Sequence, residues 1–321
     1  MPVLTDTLNP NAEAFSTNRE SMLAHLAAHD TELAKAIGGG GPAYVERHRT
    51  RGKMLARERI EAMLDPASPF LELSPLAAWG SSFPVGAGLI TGIGVIEGTE
   101  CLIIANDPTV RGGASNPFTM RKNLRAMEIA RQNQLPLVNL VESGGADLPT
   151  QSEIFIPGGQ GFHDITELSA MGVPTVAVVF GNSTAGGAYT PGMSDYIVMI
   201  KERSKVFLGG PPLVKMATGE DSDDESLGGA EMHARISGLA DYFAVDDDRG
   251  LHIVAVALQS AREGVLGDLL GDGGAVAHVV ELVAHDLGVR HPVVHRIHIV
   301  LGHQPQAEAL GHQGFIEGKR K

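Results

Sequence analysis

The stretch "LVNLVESGGADLP", Leu137–Pro149, is repeated in outline by "TVAVVFGNSTAGGAYTPG", Thr175–Gly192. Each is an apolar run rich in valine that closes on a double glycine, Gly144 and Gly145 in the first, Gly186 and Gly187 in the second. An apolar run this short, without polar alternation, reads as a strand covered on both faces, as parallel strands are. Strand candidates at 101–105, 135–142 and 173–180 follow one another with room for about one helix between them. That is the pattern of parallel strands joined by helical crossovers, an α/β fold.

Upstream, "GAGLITGIGVIEGTECLIIAND" (86–107) predicts a glycine-punctuated hairpin feeding the sheet. Its glycines are not spaced G-x-G-x-x-G and no helix follows directly, which argues against a dinucleotide loop. "SNPFTMRKNLRAMEIARQN" predicts a helix with Asn116 as cap, Pro117 in its first turn and Met120, Leu124 and Met127 on one face. A further helix is expected over 160–171. Strands are expected at 196–200 and 205–210, and helices starting in "AGGAYTPG" and in "PPLVKMATGE". Toward the N-terminus, Thr17 and Glu20 suggest a capping box for a helix over 16–37 that carries Leu23, Leu26 and Leu33 and stops at four glycines, 38–41. "KMLARERIEAMLD" predicts a second helix, with Leu55, Ile60, Met63 and Leu64 inward and its Arg and Glu side chains outward.

With 321 residues and 43% apolar content the chain has ample material for a packed core. A net charge of −13 disfavours nucleic acid, which needs clustered Lys and Arg. The basic stretch "RHRTRGK" (47–53) reads first as a solvated face and second as an anion contact. The single cysteine, Cys101, excludes an internal disulfide and reads as a buried strand thiol. There is no basic leader with a long apolar core and no run long enough to span a bilayer, so a soluble, cytoplasmic protein without a membrane partner is expected.

In parallel sheets ligands gather at the carboxyl ends of strands, where glycine lets the backbone approach closely and aim its amides. Either glycine pair alone is most simply a tight turn. Two such loops side by side can point two amides at one oxygen, an oxyanion hole. No G-x-S-x-G elbow surrounds Ser183, no H-E-x-x-H occurs, and neither loop holds a histidine. Asp147 is the only charge inside the first loop, and His163 and His233 read as surface or core-edge residues. Such a site polarises a carbonyl and takes its base from elsewhere.

At this point the chain resembles the carboxyltransferase β subunits of biotin-dependent acyl-CoA carboxylases, most of all methylcrotonyl-CoA carboxylase, with propionyl- and acetyl-CoA carboxylases as further relatives. The stretches that carry the resemblance are "RHRTRGKMLARERIEAMLDPASPFLEL", "ANDPTVRGGASNP", "VESGGADLPTQSEIF", "GNSTAGGAYTPGMSDY", "FLGGPPLVKMATGE" and "LGGAEMHARISGLADYFAVD", in order over about 40–246. It implies a crotonase-like spiral of ββα units and transfer of a carboxyl group from carboxybiotin to an acyl-CoA through an enolate, with the biotin supplying the base. By motif match the thioester oxyanion falls between the amides near Gly145 and Gly187, with Gly144 and Gly186 supporting the turns. Arg111, Gly112, Gly113 and Ala185 are then expected along the CoA path, with a surface ion pair the even alternative for Arg111. The implied cofactor is biotin carried covalently by a partner α subunit, the implied partners are that subunit and further copies of the β subunit, and no metal is expected. The acidic run "GEDSDDESLGG" (219–229) is expected to be a solvated loop.

The resemblance fades after Asp246. From Gly250 onward the chain holds eight of the thirteen histidines and no Tyr, Trp, Asn, Thr, Met or Cys. A shifted reading frame or truncated gene is the favoured account of 247–321, ahead of a natural divergent tail and of a metal site at His291, His295 and His298. Two other functions compete with carboxyl transfer. One is a truncated subunit that binds CoA thioesters or partner subunits without turnover. The other is a crotonase-type hydratase or isomerase, which would need Glu142 or Asp147 as its carboxylate.

Overall fold

A computed structural model describes residues 8–270. The histidines at 291, 295 and 298 lie outside the described residues. The chain opens with α1 (Glu13–Ile37), α2 (Pro42–Arg49) and α3 (Ala56–Met63), then β1 (Leu71–Leu73), β2 (Leu89–Ile96) and β3 (Thr99–Asn106). Next come α4 (Pro117–Asn133), β4 (Leu137–Ser143), α5 (Gln151–Ala170), β5 (Thr175–Thr184), α6 (Tyr189–Met193), β6 (Tyr196–Ile200) and β7 (Lys205–Phe207). The short helices α7 (Pro211–Thr218), α8 (Asp224–Gly228) and α9 (Ala230–Met232) precede β8 (Tyr242–Ala244) and α10 (Asp247–Leu270). The eight strands form one sheet in the order β1-β2-β3-β4-β5-β6-β8, with β7 pairing the far end of β5.

The expected hairpin is β2–β3, antiparallel from Leu89 opposite Asn106 to Ile96 opposite Thr99. From β3 onward the pairings are parallel. Successive side chains of a strand point to opposite faces, and both faces here are covered. On one face Leu102, Ile104 and Leu137 pack with Met127 and Ala130 of α4 and with Ile165 and Leu168 of α5. On the other, Arg59 of α3 lies over the Phe180 ring, and Gly250 of α10 sits so close to Val178 and Ile200 that a Cβ there would come within 3.4 Å of both. This mixed sheet between helical layers bears out the α/β reading.

Several local expectations shift. The helix expected from residue 16 begins at Glu13 after Ala12, which gives no side-chain cap, so Thr17 and Glu20 lie inside α1 and form no capping box. Leu23 and Leu26 stay 46% and 50% exposed, because only the last turn of α1 reaches the body, with Ala36 against Gly86. The helix expected over 53–65 is confined to Ala56–Met63, and its rule of charges outward fails at Arg59, which is fully buried together with Ala56, Ile60 and Met63. The 160–171 helix starts at Gln151 and carries Pro157 inside it. Burial of Ile154, Gly161, Asp164, Ile165 and Leu168 along one face outweighs the hydrogen bond that proline forfeits. β5 runs on to Thr184, and β1, β8 and α2 were not expected. The compact unit containing the sheet extends to Gln259, past Asp246, because Leu251, Ile253, Val254, Ala257 and Leu258 are all buried.

Candidate functional site

β4 and β5 are neighbours, and Ser143 stands opposite Ser183 in register, so the loops that follow emerge side by side. Gly145 has φ +88°, and a Cβ on it would come within 3.3 Å of the Thr184 carbonyl oxygen and 3.7 Å of the Ala185 Cβ. A Cβ on Gly187, in the tight turn Ala185–Ala188, would lie 3.3 Å from Ser143 Oγ. The two glycine pairs therefore abut, as the motif match implies. Gly144, Ala185 and Gly186 are exposed, whereas Gly145 is buried.

The serines at the two strand ends brace the loops. Ser143 Oγ donates to the Gly113 carbonyl and accepts the Gly145 amide, both at 3.1 Å, while Ser183 Oγ donates to the Gly187 carbonyl at 3.0 Å. The segment after β3 adds a third strut. Gly144 N donates to Gly112 O at 3.0 Å, Ser115 N to Gly145 O at 2.8 Å and Asp147 N to Ser115 O at 2.8 Å. Gly113 has φ +71° and no room for a side chain, since a Cβ would collide with the Glu142 carbonyl. Gly112 and Gly113 thus sit against the first loop. Arg111 does too, but its Nη1 lies 3.2 Å from Asp147 Oδ1 and its guanidinium over the Phe83 ring, so its charge is engaged within the chain.

Directly behind the loops is a buried ionic cluster. Glu142 accepts from Lys53 Nζ at 2.5 Å and from Arg59 Nη2 at 2.8 Å. Lys53 also donates to the Phe180 carbonyl at 3.1 Å. Arg59 approaches Asp247 at 4.0 Å, and Asp247 pairs with Arg203 at 2.7 Å. Burial alone would raise the Glu142 carboxyl, but the charges of Arg59 and Lys53 and their hydrogen bonds outweigh it and hold it below the usual carboxylate range. Gly181 makes room for this carboxylate, since a Cβ there would sit 2.6 Å from Glu142 Oε1. His48 is buried beside the cluster, and burial lowers its pKa against the pull of Glu142; its Nε2 donates to the Met54 carbonyl at 3.0 Å.

A cleft of about 260 Å³ borders the first loop and the exposed edge of this cluster. Arg47, Arg51 and Lys53 line it together with Gly112, Ser143 and Gly144. Arg47, Arg51 and Lys53 belong to the basic stretch whose second reading is an anion contact, whereas Arg59, expected outward, escaped the sequence reading as part of a site. A signal for Arg59 was present, since it stands three residues after Ala56 and four before Met63, in phase with the buried face.

The remaining candidates resolve into structural roles. Cys101 is buried in β3, its thiol pushed up to about 12 by burial. His233 is buried, with Nε2 2.8 Å from the Val206 carbonyl and Nδ1 2.7 Å from Ser237 Oγ. Within the acidic run, Glu225 pairs with Lys205. Among the described residues one group, His163, Asp164 and Glu167 on α5, brings ligand-type atoms within 4.8 Å of one another, but Gln160 donates to Asp164 at 2.5 Å and Arg131 pairs with Glu167 at 3.5 Å. Among the described residues no helix is long and apolar enough to cross a membrane.

Comparison with known proteins shows the family and the fold. The carboxyl transferase domain family matches residues 47–262. The chain is 69% identical over 245 residues to a probable biotin-dependent acyl-coenzyme A carboxylase beta2 subunit of Mycobacterium tuberculosis, covering 76% of this chain and 46% of the relative. It is 50% identical over 249 residues to the biotin-dependent 3-methylcrotonyl-coenzyme A carboxylase beta1 subunit of the same organism, with the same coverage of 76% and 46%. The beta subunit of geranyl-CoA carboxylase from P. aeruginosa superposes with a TM-score of 0.75 at 43% identity, over 80% of this chain and 48% of that one. The crotonase-like fold that the resemblance implies holds. The chain spans about half the length of the relatives it matches.

Proposed function

The chain belongs to the carboxyl transferase domain family, and from that premise we propose that it forms the acyl-CoA half of a biotin-dependent acyl-CoA carboxyltransferase. The observation that carries the reading is the pair of abutting glycine loops at the ends of β4 and β5. The thioester oxygen is taken to lie between the amides near Gly145 and Gly187, where amide dipoles stabilise the negative charge of the enolate. To use the Gly145 hydrogen this oxygen displaces Ser143 Oγ, which keeps its bond to the Gly113 carbonyl. Gly144 and Gly186 support the turns, while Gly112, Gly113 and Ala185 flank the substrate path.

The carboxylates nearest the loops are already committed. Glu142 is held ionised by Arg59 and Lys53, and Asp147 pairs with Arg111 at 3.2 Å. That fits a reaction whose base comes from outside the chain. Biotin, carried by a partner α subunit, would supply both the carboxyl group and the base; the residues here bind the thioester, orient its α (or vinylogous γ) carbon and stabilise the oxyanion. A hydratase or isomerase reading is disfavoured by the same two ion pairs, because it needs a carboxylate free to exchange a proton. The assembly is read as a homo-oligomer of β subunits with its biotin-bearing partner, in the cytoplasm, and the acyl group as a methylcrotonyl, propionyl or acetyl chain.

The test is Gly187→Val, which pushes a side chain toward Ser143, set against Gly186→Ala, whose Cβ meets nothing within 4 Å. Placed in a full-length relative, Gly187→Val is expected to cut carboxyl transfer by roughly 100- to 1,000-fold, the cost of one oxyanion donor. Gly186→Ala should leave transfer near normal. Retained transfer in Gly187→Val with an unchanged circular dichroism spectrum removes the oxyanion role.

A further inference from the structure

We propose that Lys53 is a positioning residue of the reaction: it keeps the ionic cluster behind the glycine loops one charge positive, and that charge helps to hold the enolate oxygen at the loops. This rests on the acyl-CoA reading above and adds a second source of stabilisation to the backbone amides.

The charges can be followed from contact to contact. Lys53 meets Glu142 at 2.5 Å, Arg59 meets Glu142 at 2.8 Å and Asp247 at 4.0 Å, and Arg203 meets Asp247 at 2.7 Å. Among the described residues none of the five makes a further ion pair, so three cations stand against two carboxylates. His48 beside them is largely neutral at pH 7, because burial lowers its pKa from 6.5. Arg59 is fully buried and only partly answered: its Nη2 reaches Glu142 and its guanidinium carbon lies 4.1 Å from the centre of the Phe180 ring, but Nε and Nη1 find no hydrogen-bond partner in the protein. In a low-dielectric interior such a surplus is costly until an opposite charge answers it.

The surplus lies where negative charge develops. Glu142 immediately precedes Ser143, whose Oγ accepts the Gly145 amide, and Lys53 lines the cleft with Ser143 and Gly144. Lys53 also donates to the Phe180 carbonyl at 3.1 Å, next to Gly181, where the lack of a Cβ leaves room for the Glu142 carboxylate. One ammonium thus ties β4 to β5 just before the glycine loops that both strands carry. A neutral thioester draws little on its charge. The enolate, with negative charge on its oxygen, draws more, and it is this difference that lowers a barrier.

The experiment is isotope-edited infrared spectroscopy of the thioester carbonyl of acetyl-CoA, bound at saturation to the full chain and read below the melting temperature of the least stable variant. Polarisation by the site moves the carbonyl stretch to lower wavenumber. Lys53→Gln leaves the cluster neutral and is expected to move the stretch back up, whereas Lys53→Arg keeps the charge and should return it toward wild type. Glu142→Gln breaks the same ion pair as Lys53→Gln but adds a positive charge. Loosened loops would move both stretches up; the charge moves that of Glu142→Gln below wild type. Arg49→Gln removes a cation of the same basic segment that pairs with Glu58 at the surface, and should leave the stretch in place. The proposal is overturned if Lys53→Gln matches wild type, if Lys53→Arg shifts as far as Lys53→Gln, or if Glu142→Gln moves in the same direction as Lys53→Gln; should Glu142→Gln fail to fold, the two Lys53 variants decide. In each of these cases the acyl-CoA reading stands as long as wild type polarises the carbonyl. A wild-type chain that leaves the carbonyl unshifted, or does not bind acetyl-CoA, removes that reading and the role of Lys53 with it.

Discussion

Glu142→Gln removes the one carboxylate that answers both Lys53 and Arg59. Arg59 is fully buried and its Nη2 lies 2.8 Å from Glu142, while the next acid, Asp247, is 4.0 Å away and already paired with Arg203. A glutamine can accept from one of the two cations but turns its amide donors toward the other. Taking one partner from a buried pair costs about 3–5 kcal/mol, a large share of the ~5–15 kcal/mol that holds a domain folded. For a domain of this size the melting temperature should fall by roughly 6–20 °C, at about 2–4 °C per kcal/mol. Chemical denaturation of wild type, Glu142→Gln, Arg59→Met and the double variant measures it. The double variant should cost less than the sum of the singles, because each single strands a charge that the double removes. Acid provides an internal check. The folded carboxyl lies below its unfolded value, so its contribution is complete above the unfolded pKa and is lost as pH falls through the folded one; the gap between wild type and Glu142→Gln must therefore close on acidification. A loss below about 1 kcal/mol, or strictly additive singles, would refute the claim that this cluster holds the floor of the site.

Gly113→Ala should destabilise by about 2 kcal/mol or more, since φ is +71° and the new methyl collides with the Glu142 carbonyl; a denaturation midpoint equal to wild type would contradict the close packing described. Ile253→Ala, at a site 1% exposed on α10, should cost about 2–5 kcal/mol by thermal or chemical unfolding. A neutral result would mean that the residues just beyond Asp246 do not belong to the folded unit. Burial lowers the Lys122 ammonium to about 8 from 10.5. The unfolded chain holds that proton more firmly between the two values, so wild type should gain stability as pH rises from 8 to 10.5 and Lys122→Met should not; parallel stability curves for the two proteins would exclude the assignment.

Much of the architecture was written locally. The valine-rich runs at 137–143 and 175–180 could be placed as parallel strands because burial on both faces demands continuous apolar sequence. Asn116 and Pro117 marked the start of α4, and the structure shows Asn116 Oδ1 accepting from Phe118 N and Thr119 N. The glycine pairs pointed to loops where the backbone must come close, and Gly145 at φ +88° beside Thr184 gives the reason in atoms. Where the local reading failed, burial overrode it. α5 passes through Pro157 because its face packs on the sheet, and Thr17 caps nothing because the helix had already begun.

By itself, then, the sequence determined the strand–loop–helix alternation, the strand ends at which glycine is required and the family whose motifs it carries, since all of these are encoded between near neighbours by periodicity, capping and backbone preference. Tertiary structure alone decided which charges would face one another. Arg59 and Glu142 are 83 residues apart in the chain and Lys53 and Glu142 are 89 apart, so no local pattern pairs them. They meet because α3 packs on β2 and β3 with Arg59 reaching across to β4 and β5, and Lys53 just before it does the same, where the low-dielectric interior obliges each buried charge to find an opposite one. The same packing brings Arg47 and Arg51 to the cleft beside Gly144, where they pair with no carboxylate among the described residues, and with it decides that a basic segment readable as a solvated face lines the candidate site.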